Sequence, residues 1–490
     1  NFERNILQYT NEDVFQIFEN SFTESIDPHT NYMSPITSAN FRIDMSRSLE
    51  GIGAQLQTED EYTKIVRIIP GGPAFKSKLL HPNDKIIGVA QGKNGDMVDV
   101  IGWRITDVVQ LIRGHKGSTV RLQIIPASEG VNGKPKIITL VREKVTLKGQ
   151  SAKDKIIFIK NGNKTFKFGV IMIPAFYSDF EAESRGDKNY KSTTRDVKVL
   201  ISKLKQQNIN GIIIDLRNNG GGSLEEAVKL TGLFIKYGPI VQVRNANGFV
   251  REEDDPDSTI FYNGPMAVLV NRFSASASEI LAGAIQDYGR GLIIGEQTYG
   301  KGTVQNLINL SRLVPSHSSK FGQLKLTIAK FYRITGKSTQ DRGVEPDIKF
   351  PSPFKPGEFG ESSQPSALPY DQINPTKYIP YGNIKKYLPK LQQYYNNQVK
   401  NNPEFDEYIQ EIQDYKLAAS KKYVSLNEAV RKKEQKLEEQ KKFERENEKR
   451  KRLGLKLLKK GETPKNSAKK NDPVLNEAGH ILGEYIILSS

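Results

Sequence analysis

The sequence predicts a multidomain chain of α/β and α+β character with helical N- and C-terminal regions, and three observations carry that reading. Its 490 residues exceed what one ordinary hydrophobic core holds, so two to four domains are expected. Residues 48–141 read as short β-rich runs punctuated by glycine, whereas residues 166–350 alternate apolar strands with helical segments. Beyond residue 351 a Pro/Gly/Ser-rich stretch, PSPFKPGEFGESSQPSALP, leads into mostly helical, Lys-rich sequence. The expected division is therefore 1–47 helical, 48–142 a small β-rich domain, 143–350 an α/β core, 351–370 a linker and 371–490 a helical accessory region.

Near the start, Val14, Phe15, Ile17, Phe18, Phe22 and Ile26 recur with helical spacing, and Asn11 is the expected cap. The following IDPHTNYMSP is turn material. In the small domain, residues 54–57, 62–68, 85–89 and 119–125 are strand candidates, and 105–113 is a short helix with Thr106 as its expected cap. In the core, GVIMIPAF is a strand, and the polar insertion EAESRGDKNYKSTT is expected to be mobile. A helix over 196–207 precedes GIIIDL, a continuous apolar strand suited to a sheet covered on both faces. NNGGG then turns the chain into a helix over 223–237. PMAVLVN, a helix over 277–288 and LIIGE repeat the rhythm, with right-handed crossovers expected.

Composition narrows the chemistry. Cysteine is absent, which removes disulfides, thiolate catalysis and Cys-based metal sites. His29, His81, His115, His317 and His480 are scattered without a close pair, so neither metal nor cofactor is implied. No run of 18 apolar residues predicts a transmembrane span. NFERNILQYT lacks the basic start and apolar centre of a signal peptide, as a processed product would. The net charge of +16 is concentrated in part at residues 431–452, with 11 basic and 6 acidic side chains. That run reads first as a solvated helix. Contact with a partner or an envelope surface is its alternative.

The chemistry sits in residues 271–305, NRFSASASEILAGAIQDYGRGLIIGEQTYGKGTVQ. Ser274, Ser276 and Ser278 open a helix that follows a strand, where small hydroxyls also serve as ordinary N-caps. A serine on such a turn stands above the sheet, and the next amide points at its line of attack. Ser276 is the best-placed nucleophile, with the Ala277 N–H as one oxyanion donor. The glycine turn after GIIIDL, at Gly220 and Gly221, is the candidate second donor because bare backbone can approach closely there. NNGGG lacks P-loop spacing, which argues against ATP use. Serine needs a base, and Lys301 lies 25 positions after Ser276 between two glycines. In a poorly solvated groove its pKa would fall from about 10.4 toward neutrality; on a surface turn it would be inert. Gln305 projects to the same side and can orient the amine. Asp287 is expected to support the site from a distance, since a carboxylate touching Lys301 would raise its pKa.

SASASEI, GKGTVQ, DLRNNGGG and GVIMIPAFYSDF resemble the C-terminal processing peptidases, family S41, and within them the tail-specific protease branch of the bacterial periplasm. The resemblance runs from DPHTNYMSP to NEAGHIL near the end of the chain. It implies a crotonase/Clp-like α/β serine protease core with Ser276 as nucleophile, Lys301 as general base, Gln305 as its positioner and a functional part for Asp287. SLEGIGAQLQ and IIPGGPAFKSKLLHPNDKIIGV resemble a PDZ domain, which binds a peptide C-terminus by β-addition. Gly51, Ile52, Gly53 and Ala54 would form its carboxylate loop, and Leu49 and Ile112 the walls for an apolar terminal side chain. Leu49 has an alternative place in the PDZ core.

The resemblance implies an ATP-independent endopeptidase acting on proteins with free, apolar, unstructured C-terminal tails, with room for an adaptor protein and no nucleic-acid partner. It also implies a periplasmic location, soluble or peripherally held at the inner membrane. The rival reading is a PDZ peptide-binding scaffold with a silent protease-like domain.

Overall fold

The computed structural model describes residues 2–490 except 131–132, 256, 258, 314–320, 356, 401, 460 and 463–471. His317 and most of GETPKNSAKKNDP lie outside the described residues.

Gly211–Ile214 carry no polar side chain and Ile212–Ile214 do not alternate, because their sheet is buried on both faces. The six strands run in the order Lys153–Asn161, Lys164–Met172, Gly211–Asp215, Met266–Val270, Leu292–Gly295, Ile348–Lys349. The first pair is antiparallel and the rest are parallel. Ile212, Ile214, Met266, Val268 and Ile293 face one core, with the helices Thr193–Lys205, Leu224–Gly232 and Ala277–Asp287 packed on that side. Ile213, Ala267, Leu269, Leu292 and Ile294 face a second core. Its cover comes from the C-terminal part of the chain: Leu475, Ala478, Ile481 and Leu482 of the helix Pro473–Ser489, with Leu391 and Phe405. Residues expected to form an accessory region therefore wall the central sheet.

A second, antiparallel sheet was not legible beforehand. Gln323–Tyr332 pairs with Asn31–Met33, Pro239–Asn245 and Thr303–Asn309. It brings the N-terminal segment and the lysine-bearing segment to one strand.

The small β-rich unit forms a six-stranded sheet with its own core. Ser48–Gly51 and Glu143–Thr146, which lead into and out of it, pair with each other, so the unit is inserted through a two-stranded neck. The architecture is thus multidomain α/β and α+β with an inserted PDZ-like unit.

Several local expectations need correction. Thr10, not Asn11, caps the helix Asn11–Ile26, because Asp13 at the third position completes a reciprocal pair with it. Thr106 lies inside the helix Ile105–Ile112, whose cap residue Arg104 makes no side-chain cap bond. The helix expected over 223–237 is Leu224–Gly232 with Ser223 as cap. At the polar insertion, Phe180–Ser184 is helical, and Ser178 bridges to Ser192. The helix Glu428–Arg452 has no buried residue, as a solvated charged helix should.

Candidate active site

Ser276 sits at the junction of the strand Met266–Val270 and the helix Ala277–Asp287 with φ 56° and ψ −114°. That conformation costs a side-chain-bearing residue on the order of 1–3 kcal/mol and persists only where neighbours impose it. The neighbours are polar and specific. Ser274 Oγ donates to Leu216 O at 2.8 Å, and Ser278 Oγ donates to Asn219 O at 2.9 Å. Ala275 N donates to Asn219 O at 3.0 Å. The flanking serines are thereby committed to lacing this turn to the 216–222 turn, and Ser276 is the partly exposed one of the three.

The glycines of that second turn have different duties. A Cβ at Gly221, whose φ is +106°, would lie 2.8 Å from Ser276 Cβ and 3.2 Å from Ala277 N. Gly221 must be bare for the two turns to meet. Its N–H, however, donates to Asn219 Oδ1 at 2.9 Å, so it is not a free oxyanion donor in this arrangement. Gly220 faces open space, with nothing within 4 Å of where a Cβ would stand. Ala277 opens the helix, where an N–H has no partner within the helix.

Lys301 is held by contacts on both sides of its main chain. Gly302 N donates to Gln340 Oε1 at 2.8 Å, and Thr339 Oγ1 donates to Lys301 O at 3.0 Å. A Cβ at Gly302 would come within 2.8 Å of Gln340 N, which explains one glycine of YGKG. Lys301 Nζ donates to Gln305 Oε1 at 2.5 Å. Burial, with the nearby charge of Lys325, pulls its pKa down from 10.5 to about 8. Among the described residues no hydrogen bond joins Ser276 Oγ to Lys301 Nζ.

Glu279 is the residue that sequence reasoning missed. It is fully buried and accepts from Ser276 N at 2.7 Å, Lys301 N at 3.0 Å, Gly300 N at 2.7 Å and Thr298 Oγ1 at 2.6 Å. Burial pushes its pKa up from 4.5 to about 7, against the pull of those four donors. Its position three residues after a helix-opening serine is a capping-box signal and could have been read as one.

Among the described residues Asp287 makes no hydrogen bond or ion pair with Lys301. Its oxygens pair with Arg333 at 2.5 and 2.9 Å, tying the end of the serine-bearing helix to the segment after the strand Gln323–Tyr332.

All six residues assigned to the tail cleft, Leu49, Gly51, Ile52, Gly53, Ala54 and Ile112, line one cavity of ≈ 350 Å³. Ile112 is also part of the small unit's core, whereas Leu49 lies on the neck strand outside it. Leu49 additionally lines a larger cleft of ≈ 920 Å³, shared with Leu307 and Asn309 of the strand Thr303–Asn309, which follows Lys301 and carries Gln305.

Residues 167–350 match the family described as Peptidase family S41. Residues 1–36 match the tail specific protease N-terminal domain, 41–125 the PDZ domain and 354–487 the C-terminal domain of tail specific protease. The chain is 43% identical to a tail-specific protease of Haemophilus influenzae, covering 99% of this chain and 68% of that protein. It is 31% identical to a carboxy-terminal-processing protease of Bartonella bacilliformis over 72% of this chain and 74% of that one. A solved PDZ domain of a carboxy-terminal protease from Vibrio cholerae, in complex with peptide, is 54% identical over 20% of this chain and 99% of that one, with a TM-score of 0.20. Identity sustained along nearly the whole chain settles its kinship: the chain belongs to peptidase family S41, a family of serine peptidases, in its tail-specific protease branch.

Proposed function

We propose that the chain is an ATP-independent endopeptidase in which Ser276 is the nucleophile, Lys301 the general base and Gln305 the side chain that orients it. The observation that carries this reading is a part-buried Lys301 amine with a pKa near 8, fixed on Gln305 Oε1, in a loop whose Lys301 N–H shares one oxygen of Glu279 with the N–H of Ser276.

Neutral Lys301 takes the proton as Ser276 Oγ attacks the peptide carbonyl carbon. The Ala277 and Gly220 amides stabilise the oxyanion; Gly221 joins them only if its N–H leaves Asn219. As the C–N bond breaks, the ammonium of Lys301 returns its proton to the departing amine. Water then attacks the acyl-enzyme, giving a proton to Lys301, and as the acyl C–Oγ bond breaks Lys301 passes that proton to Ser276 Oγ, which restores both groups. The missing Ser276–Lys301 hydrogen bond fits a resting state that tightens on substrate.

The cavity at Leu49, Gly51–Ala54 and Ile112 suits an apolar C-terminal residue, and Leu49 connects it with the cleft beside the catalytic strand. Binding there raises the local concentration of the tail near Ser276. We assign the core to a crotonase/Clp-like spiral and retain the division at 1–47, 48–142, 143–350, 351–370 and 371–490. Asp287 holds the helix end rather than the amine. A periplasmic location, soluble or peripheral to the inner membrane, and an adaptor docking on the helical C-terminal part complete the reading. Among the described residues no helix is long and apolar enough to cross a membrane.

The test compares the intact chain with Ser276→Ala and Lys301→Ala on a loosely folded substrate ending in an apolar or a polar tail. Cleavage lost in both variants and weakened by the polar tail is expected, with products identified by mass spectrometry. Unchanged cleavage in either variant overturns the site assignment. Tight tail binding without cleavage or acylation would favour the silent scaffold.

A further inference from the structure

The turn that precedes the small unit reaches the catalytic amine by an unbroken set of hydrogen bonds. Asp27 follows the helix Asn11–Ile26 and is 5% exposed. Its Oδ2 accepts from Thr327 Oγ1 at 2.5 Å and from Thr30 Oγ1 at 2.7 Å. Thr30 Oγ1 in turn accepts from Thr327 N at 3.1 Å, so the turn grips the strand Gln323–Tyr332 at two points. Thr327 Oγ1 accepts from Gln305 Nε2 at 2.9 Å, and Gln305 Oε1 accepts from Lys301 Nζ at 2.5 Å.

The order of donors and acceptors along this path is what matters. A threonine hydroxyl has one proton to give. Asp27 takes the proton of Thr327, which leaves only lone pairs facing Gln305. The amide must then present its NH₂ end to Thr327, and Thr303 Oγ1 accepts from the same nitrogen at 2.9 Å. Its oxygen is thereby left for the amine. An amide at position 27 can donate instead of accept. Thr327 would then be free to donate to Gln305 and turn its NH₂ toward Lys301, setting donor against donor.

We infer that Asp27 is a positioning residue for Lys301, acting through Thr327 and Gln305. The inference rests on the proposed role of Lys301 as base. The same turn braces the lysine loop a second way, since His29 Nε2 lies 2.8 Å from Glu361 Oε2, Glu361 Oε1 accepts from Gln340 Nε2 at 3.0 Å, and Gln340 Oε1 accepts from Gly302 N at 2.8 Å. The charged groups that act on the amine are Lys325, Glu361, Asp27 and Glu279, the last three favouring its ammonium form.

The test uses full-length Asp27→Asn, Thr327→Val and Thr327→Ser on an apolar-tailed substrate, at pH values bracketing the Lys301 titration near 8. For Asp27→Asn and Thr327→Val, kcat should fall about 10–100-fold with KM and tail-peptide affinity unchanged, as for a misplaced reacting group. Thr327→Ser keeps the hydroxyl and should retain kcat. Asp27→Asn should also move the acid limb of the rate profile to lower pH, because a charge favouring the ammonium is gone. Thr327→Val should leave that limb in place. Wild-type kcat in Asp27→Asn and Thr327→Val overturns the inference. So does a loss in Thr327→Ser equal to that in Thr327→Val, which would mark a packing role. Lys301→Ala, run alongside, separates the two claims: full activity there removes the base itself, whereas an inactive Lys301→Ala with silent Asp27 and Thr327 variants removes only the positioning role.

Discussion

The backbone N–H groups of Ser276 and Lys301 donate to the same oxygen, Oε2 of Glu279, at 2.7 and 3.0 Å. One buried carboxylate therefore sets the separation of the Ser276 turn and the Lys301 loop, with Thr298 and Gly300 fixing its other oxygen.

Glu279→Gln replaces one acceptor oxygen by a donor NH₂ in a pocket that offers only donors. At least one buried N–H or O–H is left unpaired, at about 1–3 kcal/mol. The expected outcome is a lower denaturation midpoint together with loss of labelling by a serine-reactive probe. Wild-type stability and labelling would show that the shared carboxylate is dispensable.

Activity should rise with pH through about 8 as Lys301 loses its proton. Lys325 supplies part of that depression, so Lys325→Met should raise the Lys301 pKa and shift the acid limb to higher pH. Activity of Lys325→Met is then reduced at neutral pH and recovered in alkali. A pH–rate profile of kcat/KM for both proteins checks this, and an unshifted limb contradicts it.

Lys301→Met should be inactive yet more stable by roughly 1–3 kcal/mol at neutral pH, since it removes a charge held in a poorly solvated site. The sign follows from linkage. The folded lysine releases its proton near 8 and the unfolded one near 10.5, so the native chain gains stability as pH rises across that window. The advantage of the variant should shrink over the same interval, as denaturant titrations at several pH values would reveal.

Gly221→Ala should lose both activity and stability, because its Cβ would stand 2.8 Å from Ser276 Cβ at a φ of +106°. Gly220→Ala meets nothing within 4 Å and keeps its N–H, so it should fold normally and retain most acylation. Equal behaviour of the two variants in a probe-labelling assay would refute the distinction.

Leu49→Ala trims a wall common to the tail cavity and the catalytic cleft. KM for an apolar-tailed substrate should rise about tenfold, from roughly 1.5 kcal/mol of lost apolar contact. Cleavage of a polar-tailed substrate should barely change; a parallel loss on both would place Leu49 in the fold rather than in recognition.

Much of the candidate site was legible because its signals are local. Ser276 follows an apolar strand and opens an apolar-faced helix, Lys301 stands between glycines, and Gln305 lies within side-chain reach of it. The continuous apolar run of GIIIDL likewise announced a sheet covered on both faces, since burial on both sides removes alternation. The place of the cover was hidden: the last helix is apolar enough to announce burial, but Arg217 meets Asp472 across 255 residues and nothing local says which sheet that helix walls. Polar cross-links were hidden more deeply. Thr327 and Asp27 lie 300 residues apart, and a hydrogen bond between single side chains leaves no periodic trace in either segment. Sequence by itself thus determined which residues are the candidates for the chemistry and which strands lie inside, because burial and turn geometry imprint on neighbouring positions. The tertiary structure alone decided how the serine and the lysine are held to one carboxylate and which turn braces the base, because those contacts exist only once distant strands have paired.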